Sequence, residues 1–168
     1  WKNDASFSLM SESDYLSQVV LNLDEIINSD EVNVQAYFLR GNAYLDRMEY
    51  DSAGADYLRV IDLEPYNHVA HNNLGISYRA KGDTWRAIEC YGKAISIDPN
   101  YRDAYNNRGM CWLDLCRFES AVRDFDRAIE LDPEYWYAYN NRGLSLWSLN
   151  RRYEALRDYR KARDLIGD

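Results

Sequence analysis

Residues 102–135 read RDAYNNRGMCWLDLCRFESAVRDFDRAIELDPEY, and this stretch decides the fold. The segment that follows, residues 136–168, repeats it in register as WYAYNNRGLSLWSLNRRYEALRDYRKARDLIGD. The same spacing of 34 residues extends upstream, as shown by glycines at Gly41, Gly75, Gly109 and Gly143, alanines at Ala53, Ala87, Ala121 and Ala155, and prolines at Pro65, Pro99 and Pro133. A fixed period without insertions indicates a repeat architecture. The chain therefore contains four copies of one unit, which are residues 34–67, 68–101, 102–135 and 136–168.

Each unit contains two helix-forming segments, which we call helix A and helix B. In the second unit, the apolar residues Ala87, Tyr91 and Ala94 of helix B recur three to four positions apart and so share one helix face. A proline follows helix B in the first three units and stops the helix there. The glycine within helix A costs about 1 kcal/mol relative to alanine. We therefore expect helices A and B to cross closely at this glycine, with the small alanine of helix B facing it and the aromatic residue four positions later filling the gap to the next unit.

The two ends of the chain depart from the repeat. Apolar residues at 19–27 match the helix B pattern one period upstream, which predicts a helix over residues 13–29. We interpret residues 1–33 as an N-terminal cap derived from a degenerate unit, in which Phe7 stands where helix A would carry its glycine. Because the sequence begins at Trp1, we expect a fragment or a processed form. At the other end, Gly167 replaces the proline and no polar capping segment is evident, so we expect a partly apolar, exposed C-terminal face.

The pattern of small residues, aromatics and prolines closely resembles the tetratricopeptide repeat family. The resemblance implies an all-α, right-handed superhelical solenoid of antiparallel helix pairs, in which helices A line a concave groove that binds peptides. By register, the predicted groove residues are Asn42, Asn73, Asn107, Asn141, Ile76, Met110, Leu113, Leu144 and Trp147. Carboxamides both donate and accept hydrogen bonds, so the asparagines could pair with the backbone of an extended peptide. The alternatives are that the asparagines hold local structure and that the apolar residues pack between neighbouring helices.

Some members of this family bind acidic C-terminal peptides of heat-shock chaperones through a carboxylate clamp of lysine, asparagine and arginine. Asn42 and Asn73 match the asparagines of that clamp. However, Phe38, Asp103 and Asn107 stand where the two lysines and the arginine would be needed. We therefore do not expect this chain to bind that class of ligand.

Composition excludes several other functions. With 28 acidic and 20 basic side chains, the net charge of −8 disfavours nucleic acid as a partner. No apolar run reaches the ~18–20 residues that a membrane-spanning helix needs. Three cysteines without zinc spacing favour free thiols and a reducing compartment, here the cytoplasm. His68 and His71 lie three residues apart without an evident third ligand. We therefore predict no metal site, no cofactor and, in the absence of a catalytic motif, no enzyme.

The predicted function is protein–protein interaction, as a scaffold or adaptor that holds a peptide segment of a partner protein. One alternative is self-assembly into a homo-oligomer through the C-terminal face. That face is rich in arginine, whereas residues 1–64 carry 13 acids and four bases. Head-to-tail docking of one end on the other is therefore a weaker variant of this idea. Two further alternatives are the interaction domain of a larger enzyme and a secretion-type chaperone.

Overall fold

The computed structural model describes residues 11–167, and in that part of the chain it contains nine helices and no strand. The helices are α1 (Glu12–Ser29), α2 (Val34–Asp46), α3 (Tyr50–Leu63), α4 (His68–Ala80), α5 (Thr84–Ile97), α6 (Arg102–Asp114), α7 (Phe118–Leu131), α8 (Trp136–Ser148) and α9 (Arg152–Ile166). The all-α prediction is confirmed. The segment that would form helix A of the degenerate N-terminal unit falls almost entirely in residues 1–10, which are outside the described residues.

The helices form an open stack of antiparallel pairs. Helices A are α2, α4, α6 and α8, and each packs most extensively on the helix B that follows it. Each helix B also packs on the next helix A, and α1 packs on α2 in the same manner. Successive helices A touch one another where α6 contacts both α4 and α8. Since the main contacts are confined to neighbours, the chain folds as a solenoid, whose stability comes from stacking.

The aromatic residue of helix B, and not the alanine, faces the glycine of helix A. A Cβ placed on Gly109 would lie 2.6 Å from Cε1 of Phe125, and one placed on Gly75 would lie 2.6 Å from Cε1 of Tyr91. Ala87 packs in one cluster with Tyr91 and with Cys111 of α6, and Ala155 packs with Leu146 of its own unit. The expectation that the alanine faces the glycine is therefore wrong. The glycine is required because the aromatic ring of its own unit fills the space of a side chain.

A set of arginine–aspartate contacts that we did not predict joins the helices. In the last unit, Nε and Nη2 of Arg142 donate to the carboxylate of Asp158 at 2.6 and 2.8 Å, and Nη1 donates to Asp126 at 2.6 Å. Arg142 thereby connects α8 to both α7 and α9. The first unit has the same arrangement, in which Arg40 bridges Asp24 and Asp56.

The two middle units modify this arrangement. Arg108 makes the paired contact with Asp124 at 2.8 and 2.7 Å, but Gly92 occupies the position of the third carboxylate. The second unit replaces the arginine with the buried Leu74 and the aspartate with Cys90, both of which belong to one apolar cluster. The contact between helix A and helix B of one unit is therefore polar in the first, third and fourth units and apolar in the second.

Completing the contact in the third unit should stabilise the protein. A Cβ placed on Gly92 would lie 3.8 Å from Nη1 of Arg108 and meet no other atom within 4 Å, so a side chain fits there. We expect Gly92→Asp to be more stable than Gly92→Asn by roughly 0.5–1 kcal/mol, because the two residues have similar helix propensities and only aspartate pairs with the guanidinium. Thermal melts at low and high salt measure this difference, which added salt should reduce. Equal stabilities at low salt would show that the carboxylate does not reach Arg108.

Candidate functional site

The surface formed by helices A contains all nine predicted groove residues, and we call it the candidate groove. A depression of about 360 Å³ lies where α4, α6 and α8 meet. Its lining consists of Arg79, Met110, Leu113, Asp114, Phe118, Asn141, Leu144 and Ser148. Four of the predicted residues, Met110, Leu113, Asn141 and Leu144, are therefore brought together in one depression. Ile76, Asn73, Asn107 and Trp147 lie on the same three helices but do not line the depression, and Asn42 lies on α2.

A second depression of about 420 Å³ lies near the N-terminal ends of α2 and α4. Phe38, Gln35 and Val69 contribute to its lining, together with Glu64 and Asn67 from the connection between α3 and α4. None of the nine predicted residues belongs to it. The two depressions lie towards opposite ends of helices A, and only the one between α4, α6 and α8 coincides with the prediction.

The asparagines connect successive helices A through their side-chain amides. Nδ2 of Asn73 donates to Oδ1 of Asn42 at 3.2 Å. In the next two units, Nδ2 of Asn107 donates to Asn72 at 3.0 Å and Nδ2 of Asn141 donates to Asn106 at 3.2 Å. Each bond links a helix A to the preceding one. This geometry favours a structural role for the amide groups, and their use as peptide ligands stays a prediction.

Asn42 is the most fully engaged of these asparagines. Its Oδ1 accepts a hydrogen bond from the Tyr57 hydroxyl at 2.7 Å in addition to the bond from Asn73. Burial raises the pKa of Tyr57 well above its ordinary value, so the hydroxyl remains protonated and able to donate. Both acceptor positions of the Asn42 carbonyl are therefore occupied by the protein itself.

The predicted apolar residues differ in how much surface they expose. Leu144 is 48% exposed and Trp147 is 46% exposed, whereas Met110 and Leu113 are partly buried. Ile76 packs against the cluster of Ala87, Tyr91 and Cys111, which makes its contribution mainly structural. The accessible apolar surface of the candidate groove is thus concentrated on α8.

The charges that line the depression on α4, α6 and α8 cancel each other. Nε of Arg79 donates to Oδ2 of Asp114 at 2.8 Å, which ties α4 to α6. Burial lowers the pKa of Arg79, but the hydrogen bond and charge of Asp114 more than offset this, so the pKa lies above its ordinary value and the pair is ionic. The depression therefore combines apolar side chains and a carboxamide with a neutralised ion pair.

Cys90, Cys111 and His71 are partly or fully buried in the stack of helices. Burial raises the pKa of Cys90 to about 11 and that of Cys111 to about 12, which leaves both as unreactive thiols at neutral pH. Burial lowers the pKa of His71, whose Nε2 lies 3.2 Å from the Pro65 carbonyl oxygen. In residues 11–167, no group of three or more His, Cys, Asp or Glu side chains is arranged to hold a metal ion. Among the described helices, none is both long enough and apolar enough to cross a membrane.

Comparison with known families agrees with the geometry of the units. Models of the tetratricopeptide repeat match residues 34–67, 68–101, 103–135 and 137–166. The chain belongs to the tetratricopeptide repeat (TPR) family. The match covers all four units of this TPR chain. The comparison with curated proteins found no match.

Several solved TPR structures share the fold. The crystal structure of MamA superimposes with a TM-score of 0.83 at 21% identity, covering 93% of this chain and 95% of that one. YrrB, described as a TPR protein with an unusual peptide-binding site, gives a TM-score of 0.75 at 23% identity, with coverage of 95% and 82%. The first TPR of Spaghetti (RPAP3), bound to the HSP90 peptide SRMEEVD, gives a TM-score of 0.68 at 27% identity, with coverage of 70% and 93%. At these identities, the MamA and YrrB structures establish the fold alone.

Proposed function

We propose that this TPR protein binds an apolar segment of a partner protein in the candidate groove, centred on the depression between α4, α6 and α8. One observation carries the proposal, namely the exposed pair Leu144 and Trp147 next to the partly buried Met110 and Leu113. Contiguous exposed apolar surface usually marks an interaction site, and Trp and Met are enriched at the centres of interfaces. We propose that this surface acts by binding and not by catalysis.

The charge distribution supports an apolar ligand over an acidic one. Asp114 neutralises Arg79, the basic side chain that lines the depression, and would repel a ligand carboxylate. The Spaghetti TPR binds an acidic peptide. In this chain, the positions of the basic clamp residues hold Phe38, Asp103 and Asn107, none of which carries a positive charge. We therefore propose that aliphatic or aromatic side chains of the partner occupy the depression and that the Asn141 carboxamide contacts the partner backbone.

Two glutamate variants at exposed leucines test the groove. Leu144 lies in the candidate groove, whereas Leu21, which is 57% exposed, lies on α1 outside it. We expect Leu144→Glu to weaken capture of the native partner from cell lysate at least about tenfold, because a charge would be buried against an apolar ligand. Leu21→Glu serves as the matched control and should capture the partner as the parent protein does.

The two variants should have similar melting temperatures, since each replaces a half-exposed leucine. The proposal fails if Leu144→Glu and Leu21→Glu capture the same proteins in the same amounts. It also fails if Leu21→Glu alone loses the partner, because the binding surface would then include α1.

Two further assignments belong to this proposal. We place the protein in the cytoplasm, since the thiols of Cys90, Cys111 and Cys116 are all free and suit a reducing compartment. We also assign residues 1–33 to an N-terminal cap. This assignment is supported by the packing of Leu23 and Ile27 of α1 against Ala36 of α2.

A further inference from the structure

One stripe on each helix B receives the next helix A. In α7 this stripe contains Val122, which packs in a cluster with Leu146 of α8, and Asp126, which pairs with Arg142 of α8. In α5 the stripe begins with Trp85, whose ring packs edge-on against Trp112 of α6. The stripe is therefore a surface that is shaped to hold a helix.

The corresponding stripe on α3 contacts α4 in the same way. Asp51 pairs with Lys81 at the end of α4. A Cβ placed on Gly54 would contact Leu74 of α4 at 3.7 Å, and Ile61 packs against the cluster that contains Leu74. All three inner helices B thus use residues at equivalent positions for the same contact.

On α9 the equivalent stripe is exposed and consists of Tyr153, Leu156, Arg160 and Arg163. Tyr153 is 92% exposed, and Leu156 is 46% exposed although it corresponds to the buried Val122. Two apolar side chains are therefore presented where the inner units bury a helix–helix contact.

The charge of this stripe is reversed relative to α7. Arg160 stands at the position of Asp126, which holds the arginine of the next helix, and Arg163 stands at the position of Ile129. A further unit with an arginine at the position of Arg142, as in the first, third and fourth units, would place that arginine against Arg160. A helix complementary to this surface carries a carboxylate at the position of Arg142 and an apolar residue at the position of Leu146.

The end of α9 also differs from the ends of the inner helices B. The cap residue Asp132 of α7 has an extended backbone and leads through Pro133 into α8. At α9, Gly167 closes the helix in the left-handed conformation, with φ of 94°, and its N–H donates to the carbonyl oxygen of Arg163. The backbone conformation at the end of α9 thus differs from that at the ends of α3, α5 and α7.

From these observations we propose that the α9 stripe binds an acidic amphipathic helix of a separate partner protein. Tyr153 and Leu156 contact the apolar residues of that helix, and Arg160 and Arg163 pair with its carboxylates. This is a second binding surface, separate from the candidate groove and independent of what the groove binds.

The test uses a helix whose docking geometry is already present in the structure. A fluorescently labelled peptide of residues 135–151 with Arg142→Glu presents a carboxylate to Arg160 and a leucine to Leu156, as α8 presents its residues to α7. The native peptide of the same length is the matched control, since it differs only at position 142. Fluorescence anisotropy with the full chain should show the Arg142→Glu peptide binding roughly tenfold more tightly, because the native peptide places like charges together.

The protein variant Arg160→Asp should reverse this preference, since it restores the pairing of Asp126 with Arg142. Arg160 is exposed, so the variant should melt like the parent, which a thermal scan checks. Binding of neither peptide, equal binding of both, or a preference that Arg160→Asp leaves unchanged would each overturn the proposal. Light scattering of the chain alone supplies the remaining outcome. A dimer that Arg160→Asp abolishes would show that a second copy, and not a separate partner, occupies the stripe.

Discussion

Gly109→Ala should lower the free energy of unfolding by about 1–2 kcal/mol, although alanine is the better helix former. The Cβ would lie 2.6 Å from the ring of Phe125, which is fully buried and has no open space to move into. Overpacking of this kind costs ~1–3 kcal/mol, which exceeds the gain in helix propensity of about 1 kcal/mol. For a chain of this length, the melting temperature should fall by roughly 2–8 °C.

Gly92→Ala provides the matched control, because Gly92 also lies within a helix. A Cβ at Gly92 meets one atom within 4 Å, the end of the flexible Arg108 side chain at 3.8 Å. The same substitution should therefore raise stability there, by about 0.5–1 kcal/mol. Opposite signs for the two variants would establish that the packing partner, and not the residue type, determines the effect.

Replacing the Phe125 ring with a smaller side chain should relieve the clash with the Cβ of Ala at position 109. In the double variant Gly109→Ala with Phe125→Leu, the loss of stability should be smaller than the sum of the two single losses, since the new methyl group fills part of the space left by the ring. Additive losses in chemical denaturation, or a neutral effect of Gly109→Ala alone, would contradict the close contact between Gly109 and Phe125.

The period of the sequence was sufficient to predict the number, order and approximate ends of the helices. It did not predict which residue of helix B faces the glycine. Ala121 and Phe125 are four residues apart and differ by only about 40° around a helix, so a small roll of helix B exchanges them. A repeat pattern contains no information on that roll, which is set by packing of the whole stack.

The arginine–aspartate contacts could have been found from the sequence. Arg40, Arg108 and Arg142 each precede an aspartate by 16 residues, and each pair links the two helices of one unit. The same period that revealed the glycines carries this signal. Charged side chains usually lie in solvent, whereas Asp124 and Asp158 are buried, so hydropathy alone does not reveal these pairs.

The exposure of the candidate groove residues could not be predicted from register. Ile76 and Leu144 occupy the same position of their units, but Ile76 is partly buried and Leu144 is exposed. The difference arises because a helix A in the middle of the stack has a helix A on each side, as α6 has α4 and α8. Among the described residues, α8 has such a neighbour on one side only, which leaves Leu144 and Trp147 accessible.

The largest loss of stability is expected for Arg142→Leu. Asp158 is buried, and its carboxylate accepts two hydrogen bonds from Arg142. The variant removes both bonds and leaves an unpaired carboxylate in the interior. Removing one partner of a buried ion pair costs ~3–5 kcal/mol. Urea denaturation should show this loss, while Asp126→Asn, which removes the half-exposed third partner, should cost less than about 1 kcal/mol.

The second unit shows how the loss can be reversed. Leu74 and Cys90 occupy the positions of Arg142 and Asp158, and they pack in an apolar cluster without any charge. The double variant Arg142→Leu with Asp158→Cys copies this arrangement and should recover most of the stability lost by Arg142→Leu, because the buried carboxylate is gone. If the double variant unfolds at the same urea concentration as Arg142→Leu, the cost lies in the contacts of the arginine side chain and not in the unpaired charge. Recovery would show instead that the polar and apolar forms of this contact are interchangeable between units. The charges would then serve to match each helix B to the helix A that packs on it.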